Sequence, residues 1–231
     1  MNASPPKAVL IADDDPTNRE LVEAFLMKSG YRAIVATNGE EAVQHANQEP
    51  LHAILLDISM PVLDGKQAAR LIRELSAHNK ETPIAALTAY QITVDDPTMS
   101  GAPINALFRK PVDWAALIDW INAVGGEMAN NALATSAENA APEIDENAVE
   151  INQTIIMQMR DSLPADTVMR LYSRFQQDLA ARLAELDQAI ADQDIEQARK
   201  TTHALCGIAS AFGAVSLEQH ARHLHNHADQ I

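Results

Sequence analysis

Hydrophobic and polar positions follow two different patterns along the chain. In the first half, short apolar runs alternate with amphipathic stretches, and the runs are AVLIA (8–12), AIVA (33–36), HAILLD (52–57), PIAALT (83–88) and NALFR (105–109). Continuous apolar strands that alternate with helices are typical of a parallel sheet covered by helices on both faces. We therefore predict an α/β doubly wound domain with a parallel five-stranded sheet over residues 1–124.

Two local signals place the first helices of this domain. Asp15-Pro16 puts a proline in a first helical turn, and Asn38-Gly39 is followed by two acidic residues. Proline and acidic side chains are both favoured at the amino end of a helix. We expect a helix to begin at each position.

The second half has a helical period. Apolar residues recur at spacings of three and four over residues 171–190, 195–212 and 217–231. Three helices with one apolar stripe each form a bundle, and the weaker segment 151–159 is a candidate for a fourth helix. We predict an all-α helical bundle over residues 151–231.

Residues 125–150 separate the two patterns. This segment is rich in alanine, asparagine and acidic residues, contains neither lysine nor arginine, and shows no strong periodicity. Such a composition buries little apolar surface. We predict a mostly mobile linker between the two domains.

Composition narrows the classes of function. Among 231 residues, 17 are basic and 32 are acidic, so the formal charge of −15 argues against nucleic-acid or anionic-membrane binding. The single cysteine, Cys206, excludes an internal disulfide, and no apolar run approaches the ~18 residues that a membrane span needs. The first residues do not resemble a signal peptide. We expect a cytoplasmic location.

Polar side chains follow the predicted strands at their carboxyl ends, where the functional sites of open parallel sheets lie. Asp13 and Asp14 end the first run, Asp57 ends the third, Thr88 ends the fourth, and Lys110 follows the fifth. Three carboxylates brought together repel one another unless a hard cation joins them, and Mg²⁺ suits such a site. The Thr88 hydroxyl and the Lys110 ammonium can then neutralise phosphoryl oxygens, with Asp57 as the nucleophile that forms an acyl phosphate.

Four motifs in this half resemble those of a response-regulator receiver domain, which has a flavodoxin-like fold: VLIADDDPTNRELV, LLDISMPVLDG, ALTA and RKPV. The resemblance covers residues 7–124. It implies the phosphoacceptor Asp57, phosphoryl contacts from Thr88 and Lys110, a cis peptide between Lys110 and Pro111, and metal ligands Asp13, Asp14, Asp57 and the Ser59 backbone carbonyl. The alternative is that these residues are ordinary polar loop ends.

The chain departs from the receiver pattern in two places. The aromatic residue that receivers usually carry three positions before the lysine is Leu107 here, and Phe108 and Tyr90 are out of register. The segment AYQITVDDPTMSGAP, where a fourth helix is expected, contains two prolines and has little helical period. We expect this helix to be short or disordered, which favours passing a phosphoryl group on over switching an output domain.

In the second half, His203 stands on an otherwise small and apolar helix. At ~3.6 residues per turn it lies opposite the apolar stripe and shares its face with Arg199, Lys200, Gly207 and Ser210. Gly207 costs about 1 kcal/mol of helix stability relative to alanine, which suggests close approach of a partner to the imidazole. An imidazole near neutral pH is a competent nucleophile.

The stretch THALCGIASAFGAVSLEQH resembles histidine-containing phosphotransfer (HPt) domains. The resemblance implies His203 as a second phosphoacceptor, with sensor histidine kinases and other receiver domains as partners. The lysine that usually follows the leucine is Cys206 here, so phosphate support falls to Lys200 or Arg199, with Gly207 leaving access. We interpret Cys206 as a small packing residue.

The predicted bundle lacks the last helix that HPt domains generally have. Either the sequence is truncated, or the segment 151–159 covers the open stripe, or a second subunit does so as a homodimer. Four further histidines, at 220, 223, 225 and 227, are expected to form a solvated flank rather than a metal site.

The sequence as a whole favours a two-component phosphorelay protein with Mg²⁺ as its cofactor. A non-transferring docking or dimerisation module and the C-terminal fragment of a hybrid sensor kinase are the alternatives. We expect no ATP-dependent kinase activity because an ATP-binding glycine-rich box is missing, although a receiver can catalyse its own phosphorylation and dephosphorylation. We also expect no DNA-binding output, because the sequence contains no basic helix-turn-helix region.

Overall fold

The computed structural model describes residues 6–89, 101–124 and 151–227. The chain divides into two compact units, residues 1–137 and 138–231. The predicted linker 125–150, Tyr90 and most of the segment expected to hold a short fourth helix lie outside the described residues. No helix in the described ranges has the length and apolar character needed to cross a membrane.

The first unit contains the predicted five-stranded parallel sheet. Its strands are β1 (Ala8–Ala12), β2 (Arg32–Ala36), β3 (Ala53–Asp57), β4 (Ile84–Thr88) and β5 (Ala106–Arg109). They pair in the order β2-β1-β3-β4-β5, all parallel. Every residue of β1, β3 and β4 is buried, which explains why their sequences are continuously apolar rather than alternating.

Helices α1 (Pro16–Lys28), α2 (Gly39–Gln48), α3 (Gly65–Leu75) and α4 (Trp114–Ala123) flank this sheet. Both predicted helix starts are confirmed. The Asp15 carboxylate caps α1 by accepting hydrogen bonds from two backbone N–H groups, each at 2.9 Å. The Asn38 side chain caps α2 through the N–H of Glu41, also at 2.9 Å.

The second unit is a bundle of four helices in its described part. They are α5 (Gln153–Ser162), α6 (Ala165–Ala191), α7 (Ile195–Ala211) and α8 (Val215–Asn226). Ile155 and Met159 of α5 are buried, and the Asn152 N–H donates to the Gly213 carbonyl at 2.8 Å. The candidate fourth helix is therefore part of the bundle.

Two details of the bundle differ from the sequence prediction. Ser210, predicted on the outward face of α7, is 1% exposed because α7 packs against both neighbouring helices and its end lies beside α5. Three members of the predicted apolar stripes are exposed instead: Leu183, Ile190 and Ile195. A simple amphipathic stripe therefore describes α7 poorly, since most of its circumference is covered.

Candidate functional site

The strand order brings the predicted acidic residues to one edge of the sheet. Because β1 lies next to β3, the residues that follow or end these strands are neighbours. Carboxylate oxygens of Asp13, Asp14 and Asp57 all lie within 4.8 Å of one another. Asp13 and Asp57 are buried, whereas Asp14 is exposed.

Lys110 joins two of these carboxylates. Its ammonium Nζ lies 2.8 Å from Oδ2 of Asp13 and 2.7 Å from Oδ2 of Asp57, and its side chain is only 4% exposed. Burial by itself would lower the pKa of Lys110, but the two carboxylates outweigh it and raise that pKa above its ordinary value. One cation thus faces three carboxyl groups, which leaves a negative excess at the cleft.

The pKa values of Asp13 and Asp14 are both raised in this negatively charged site. Burial raises the pKa of Asp13 and Asp57 adds to the rise, while Lys110 opposes it. Desolvation and then repulsion from Asp13 raise the pKa of Asp14 to about 6. Carboxylate oxygens at these separations form the donor set that Mg²⁺ prefers, and a divalent cation would relieve the repulsion among them. The site therefore fits the predicted metal.

Backbone and side-chain donors hold the carboxylates in place. Oδ1 of Asp13 accepts from the Asp15 N–H at 3.0 Å and from Nδ2 of Asn18 at 3.4 Å. Oδ1 of Asp57 accepts from the Ser59 N–H at 3.1 Å. Asn18 was missed in the sequence, where the only signal is a polar residue in the first turn of α1 at a position that the structure buries.

Thr88 and Lys110 are positioned by neighbouring strands. Thr88 ends β4, is 1% exposed, and its carbonyl accepts from the Lys110 N–H at 2.7 Å. The peptide between Lys110 and Pro111 is cis, as the resemblance implied. The structure thus brings Asp13, Asp14, Asp57 and Lys110 together, with Thr88 at the end of the adjacent strand.

Gly65 sets the distance between α3 and the end of β3, and sequence reasoning missed it. A Cβ atom at this position would lie 2.1 Å from the Asp57 carbonyl oxygen. The Gly65 N–H also donates to the Ile58 carbonyl at 3.1 Å. A glycine in the first turn of a helix that Asp64 already caps was the available signal, because glycine there weakens the helix.

We predict that Gly65→Ala destabilises the first unit by about 2–4 kcal/mol, because the new methyl group must displace the backbone that carries Asp57. Urea unfolding followed by tryptophan fluorescence measures this unit selectively, since both tryptophans, Trp114 and Trp120, belong to α4. Gly30→Ala is the control, because Gly30 has φ +84° with nothing within 4 Å of a Cβ. It should cost only about 1 kcal/mol. Equal losses would contradict the steric argument.

Leu107 occupies the position, three residues before Lys110, where receivers usually carry an aromatic residue. Leu107 packs with Ile58 and Ala86 in a small apolar cluster. Phe108, the next residue of β5, is fully buried and meets Trp120 edge-to-face with ring centroids 6.0 Å apart. Because side chains alternate along a strand, Phe108 belongs to the core and is not a substitute for the aromatic residue.

In the second unit, His203 is half-buried on α7 rather than fully outward. Its ring centroid lies 5.8 Å from that of His225 on α8. Lys200, predicted to support a phosphate, is exposed and its Nζ lies 2.7 Å from a carboxylate oxygen of Glu196. Arg199 donates to the His225 carbonyl at 3.4 Å. Gly207 is half-buried one turn after His203.

Cys206 is 1% exposed in the bundle core, in agreement with the packing role predicted for it. Burial raises the pKa of its thiol to about 11, so it is neutral at physiological pH. It therefore provides no charge to the surroundings of His203.

The other predicted histidines are arranged differently from His225. His220, His223 and His227 are exposed, and the rings of the last two stack with centroids 4.3 Å apart. In the part of the chain that the structure describes, the one convergent group of three or more metal-binding side chains is the acidic cluster of the first unit.

Comparisons with known proteins match both units. The sequence-family model of the response regulator receiver domain matches residues 9–122, and that of the Hpt domain matches residues 170–230. The histidine-protein kinase BarA of Escherichia coli K12 is 30% identical over 151 residues, which are 65% of this chain but 16% of BarA. The chain thus spans about a sixth of the length of this relative.

Two further proteins resemble the first unit alone. PilH of Pseudomonas aeruginosa is 34% identical over 116 residues, which cover 50% of this chain and 95% of PilH. The crystal structure of the receiver domain of the sensor histidine kinase PA1611 from the same species, with a magnesium ion coordinated in its active-site cleft, is 34% identical. It aligns with a TM-score of 0.49 over 52% of this chain and 99% of that domain.

Proposed function

The chain belongs to the response-regulator receiver family and carries an Hpt domain after its receiver, the domain pair of two-component phosphorelay proteins; on this basis we propose that it relays a phosphoryl group through Asp57 and His203. The observation that carries the proposal is the convergence of Asp57 with Asp13, Asp14 and Lys110 at one edge of the sheet. Such a site can accept and neutralise a phosphoryl group.

We propose that Asp13, Asp14, Asp57 and the Ser59 carbonyl hold Mg²⁺. The three carboxylates support this assignment through their separation and their uncompensated charge. When bound, the ion supplies charge neutralisation for phosphoryl oxygens. Lys110, whose ammonium contacts both Asp13 and Asp57, supplies a second positive charge, and the Thr88 hydroxyl is the proposed hydrogen-bond donor.

The step at Asp57 follows from this arrangement. A carboxylate oxygen of Asp57 attacks the phosphorus atom of a phosphohistidine donor, a P–O bond forms and the P–N bond breaks. The donor imidazole leaves with the electron pair of that bond and is neutral, because its other nitrogen keeps its proton. Asp57 is 8% exposed, so a donor has to approach it through this small exposed part of its side chain. In this sense the receiver catalyses its own phosphorylation.

The step at His203 involves a receiver aspartyl phosphate. The lone pair of an imidazole nitrogen attacks phosphorus, the P–O bond of the acyl phosphate breaks and the carboxylate leaves. The partial exposure of His203 on α7 supports this role. Arg199, Lys200 and Gly207 remain the proposed supports from its own helix. The donor is either Asp57 of this chain or the aspartate of another receiver.

The proposed partners are a sensor histidine kinase and other receiver domains, in the cytoplasm. A reducing compartment agrees with Cys206 being a free, buried thiol. Homodimerisation also stays a prediction, and the side chains that it would cover are Leu183, Ile190 and Ile195.

A second candidate is that these domains form the C-terminal part of a hybrid sensor kinase. The similarity of 151 residues of this chain to part of the histidine-protein kinase BarA favours it. The donor of Asp57 would then lie on the same polypeptide. An immunoblot of cells with an antibody against the bundle distinguishes a band of 231 residues from a much longer one.

The relay is tested by labelling the wild-type chain with ³²P from panels of phosphorylated kinases and phosphorylated receivers, with Mg²⁺ or with EDTA. Hydroxylamine releases acyl phosphate, and acid releases phosphohistidine, so the two linkages are separable on one sample. We expect both linkages in Mg²⁺ and loss of the acyl phosphate in EDTA. If no donor labels the chain, the docking or dimerisation module is the better interpretation.

A further inference from the structure

His225 on α8 is held against α7 by several contacts. Its Nδ1 lies 3.1 Å from the Arg199 carbonyl and 3.4 Å from the Thr202 hydroxyl. In addition, the Arg199 guanidinium donates a hydrogen bond to the His225 carbonyl at 3.4 Å. Unlike the exposed His220, His223 and His227, His225 is half-buried. These contacts fix the position of its ring beside α7.

The same contacts decide which nitrogen of His225 carries a proton. A backbone carbonyl only accepts hydrogen bonds, so Nδ1 must be the donor to the Arg199 carbonyl. The Thr202 hydroxyl donates to the Ala198 carbonyl at 2.9 Å, and its oxygen is thus an acceptor toward the same Nδ1–H. In this arrangement Nδ1 carries a proton and is engaged with α7, while Nε2 is the other ring nitrogen.

The ring of His225 lies next to the proposed phosphoacceptor. The centroids of the His203 and His225 rings are 5.8 Å apart, with an angle of 51° between their planes. A phosphoryl group on His203 would extend a few ångströms beyond its ring, within reach of a neighbouring imidazole. An imidazolium N–H in such a position can donate a charge-assisted hydrogen bond to a phosphoryl oxygen.

The other cationic side chains considered for the phosphoryl group on His203 are Arg199 and Lys200 of its own helix, and the Arg199 guanidinium is directed to the His225 carbonyl at 3.4 Å. Cys206 is buried and neutral. The Lys200 ammonium lies against Glu196, 2.7 Å from its carboxylate. Such an exposed pair is weak and can open, but it gives Lys200 no fixed direction toward His203. His225 is instead positioned by the fold.

We infer that His225 is a phosphoryl-binding residue of the bundle: as an imidazolium it donates a charge-assisted hydrogen bond from Nε2 to the phosphoryl group on His203. This inference rests on the proposed transfer to His203. No proton needs to move in the transfer itself, since the attacking nitrogen of His203 uses a lone pair and His225 contributes charge. The interaction stabilises both the transition state and the phosphohistidine product.

Two substitutions separate this role from a structural one. His225→Asn keeps an N–H donor near the position of Nδ1, and so preserves the contact with the Arg199 carbonyl, but removes the charge. His225→Lys loses that donor geometry and keeps a positive charge within reach of His203. His223→Asn is the matched control, because His223 is exposed on the same helix.

The experiment measures, in the full chain, the rate of ³²P transfer from a phosphorylated receiver to His203 and the half-life of the phosphohistidine. All chains carry Asp57→Asn so that label reports His203 alone. We expect His225→Asn to slow transfer by about 10- to 100-fold and to shorten the half-life. His225→Lys should recover most of the rate, and His223→Asn should leave it unchanged. Circular dichroism melting checks that each variant is folded.

Two outcomes overturn the inference, and they are distinguishable from failure of the proposed function. Transfer at an unchanged rate in His225→Asn would show that the imidazole is dispensable. Retained activity in the asparagine variant with loss in the lysine variant would show that His225 only holds α7 and α8 together. If His203 takes no label with His225 intact, the proposed function of the bundle is wrong and this inference falls with it.

Discussion

Asp57→Asn should reduce phosphoryl uptake from a phosphohistidine donor by at least about 10³-fold, to the background of the assay, because the substitution removes the nucleophilic carboxylate. Asparagine has nearly the same shape and can still accept from the Ser59 N–H, which lies 3.1 Å from Oδ1 of Asp57. The loss should therefore be chemical rather than structural. The measurement is ³²P incorporation from a phosphorylated kinase in the presence of Mg²⁺.

Asp64→Asn is the matched control for this variant. It makes the same chemical change in the same unit, seven residues away, at the N-cap of α3. Asparagine is as good an N-cap as aspartate, so both stability and labelling should stay close to those of the wild type. Hydroxylamine-sensitive label that persists in Asp57→Asn would assign the acceptor to another carboxylate of the cluster, Asp13 or Asp14.

His203→Gln should abolish acid-labile labelling from phosphorylated receivers while leaving kinase-dependent labelling of Asp57 intact. Glutamine is a polar residue with good helix propensity, and His203 is only half-buried, so α7 should keep its structure. The amide lacks the nucleophilic lone pair of imidazole, and we expect a loss of at least about 10³-fold. Phosphohistidine is measured after base treatment, which removes acyl phosphate.

His220→Gln is the control for the histidine variant. His220 is exposed on α8, and its Nδ1 lies 2.6 Å from the Ser216 carbonyl of its own helix. It should take no part in transfer, and its variant should label like the wild type. Acid-labile label that survives in His203→Gln but disappears in His220→Gln would move the phosphoacceptor to α8 and would refute the assignment to His203.

Much of the first unit was predictable because its signals are local or follow from topology. Five apolar runs matched five strands to within one or two residues, since a strand buried on both faces needs apolar side chains throughout. The acidic site was predictable because parallel strands place their carboxyl ends at one edge. Asp13 and Asp57 are separated by 44 positions in sequence and still share Lys110.

The helices of the bundle were predictable, but the faces of those helices that are buried were less so. The helices followed from apolar periodicity, although α6 begins at Ala165, six residues before the periodic pattern at Leu171, and α5 was anticipated as a candidate fourth helix. The burial of Ser210 was not, because the sequence does not show that α7 has neighbours on several sides. The exposure of Leu183 on the long helix α6 was missed for the converse reason, since its face lacks a full layer of described neighbours.

By itself, the sequence determined the two fold classes, the acidic cluster and the candidate acceptors Asp57 and His203, because these depend on periodicity, strand order and residue chemistry. Only the tertiary structure decided that Lys110 lies between two carboxylates, that Gly65 must lack a side chain, and that His225 lies beside His203. Each of these is a distance of a few ångströms between residues on different elements. Such distances depend on how helices and strands pack, and that packing cannot be inferred from the local pattern of residues along the chain.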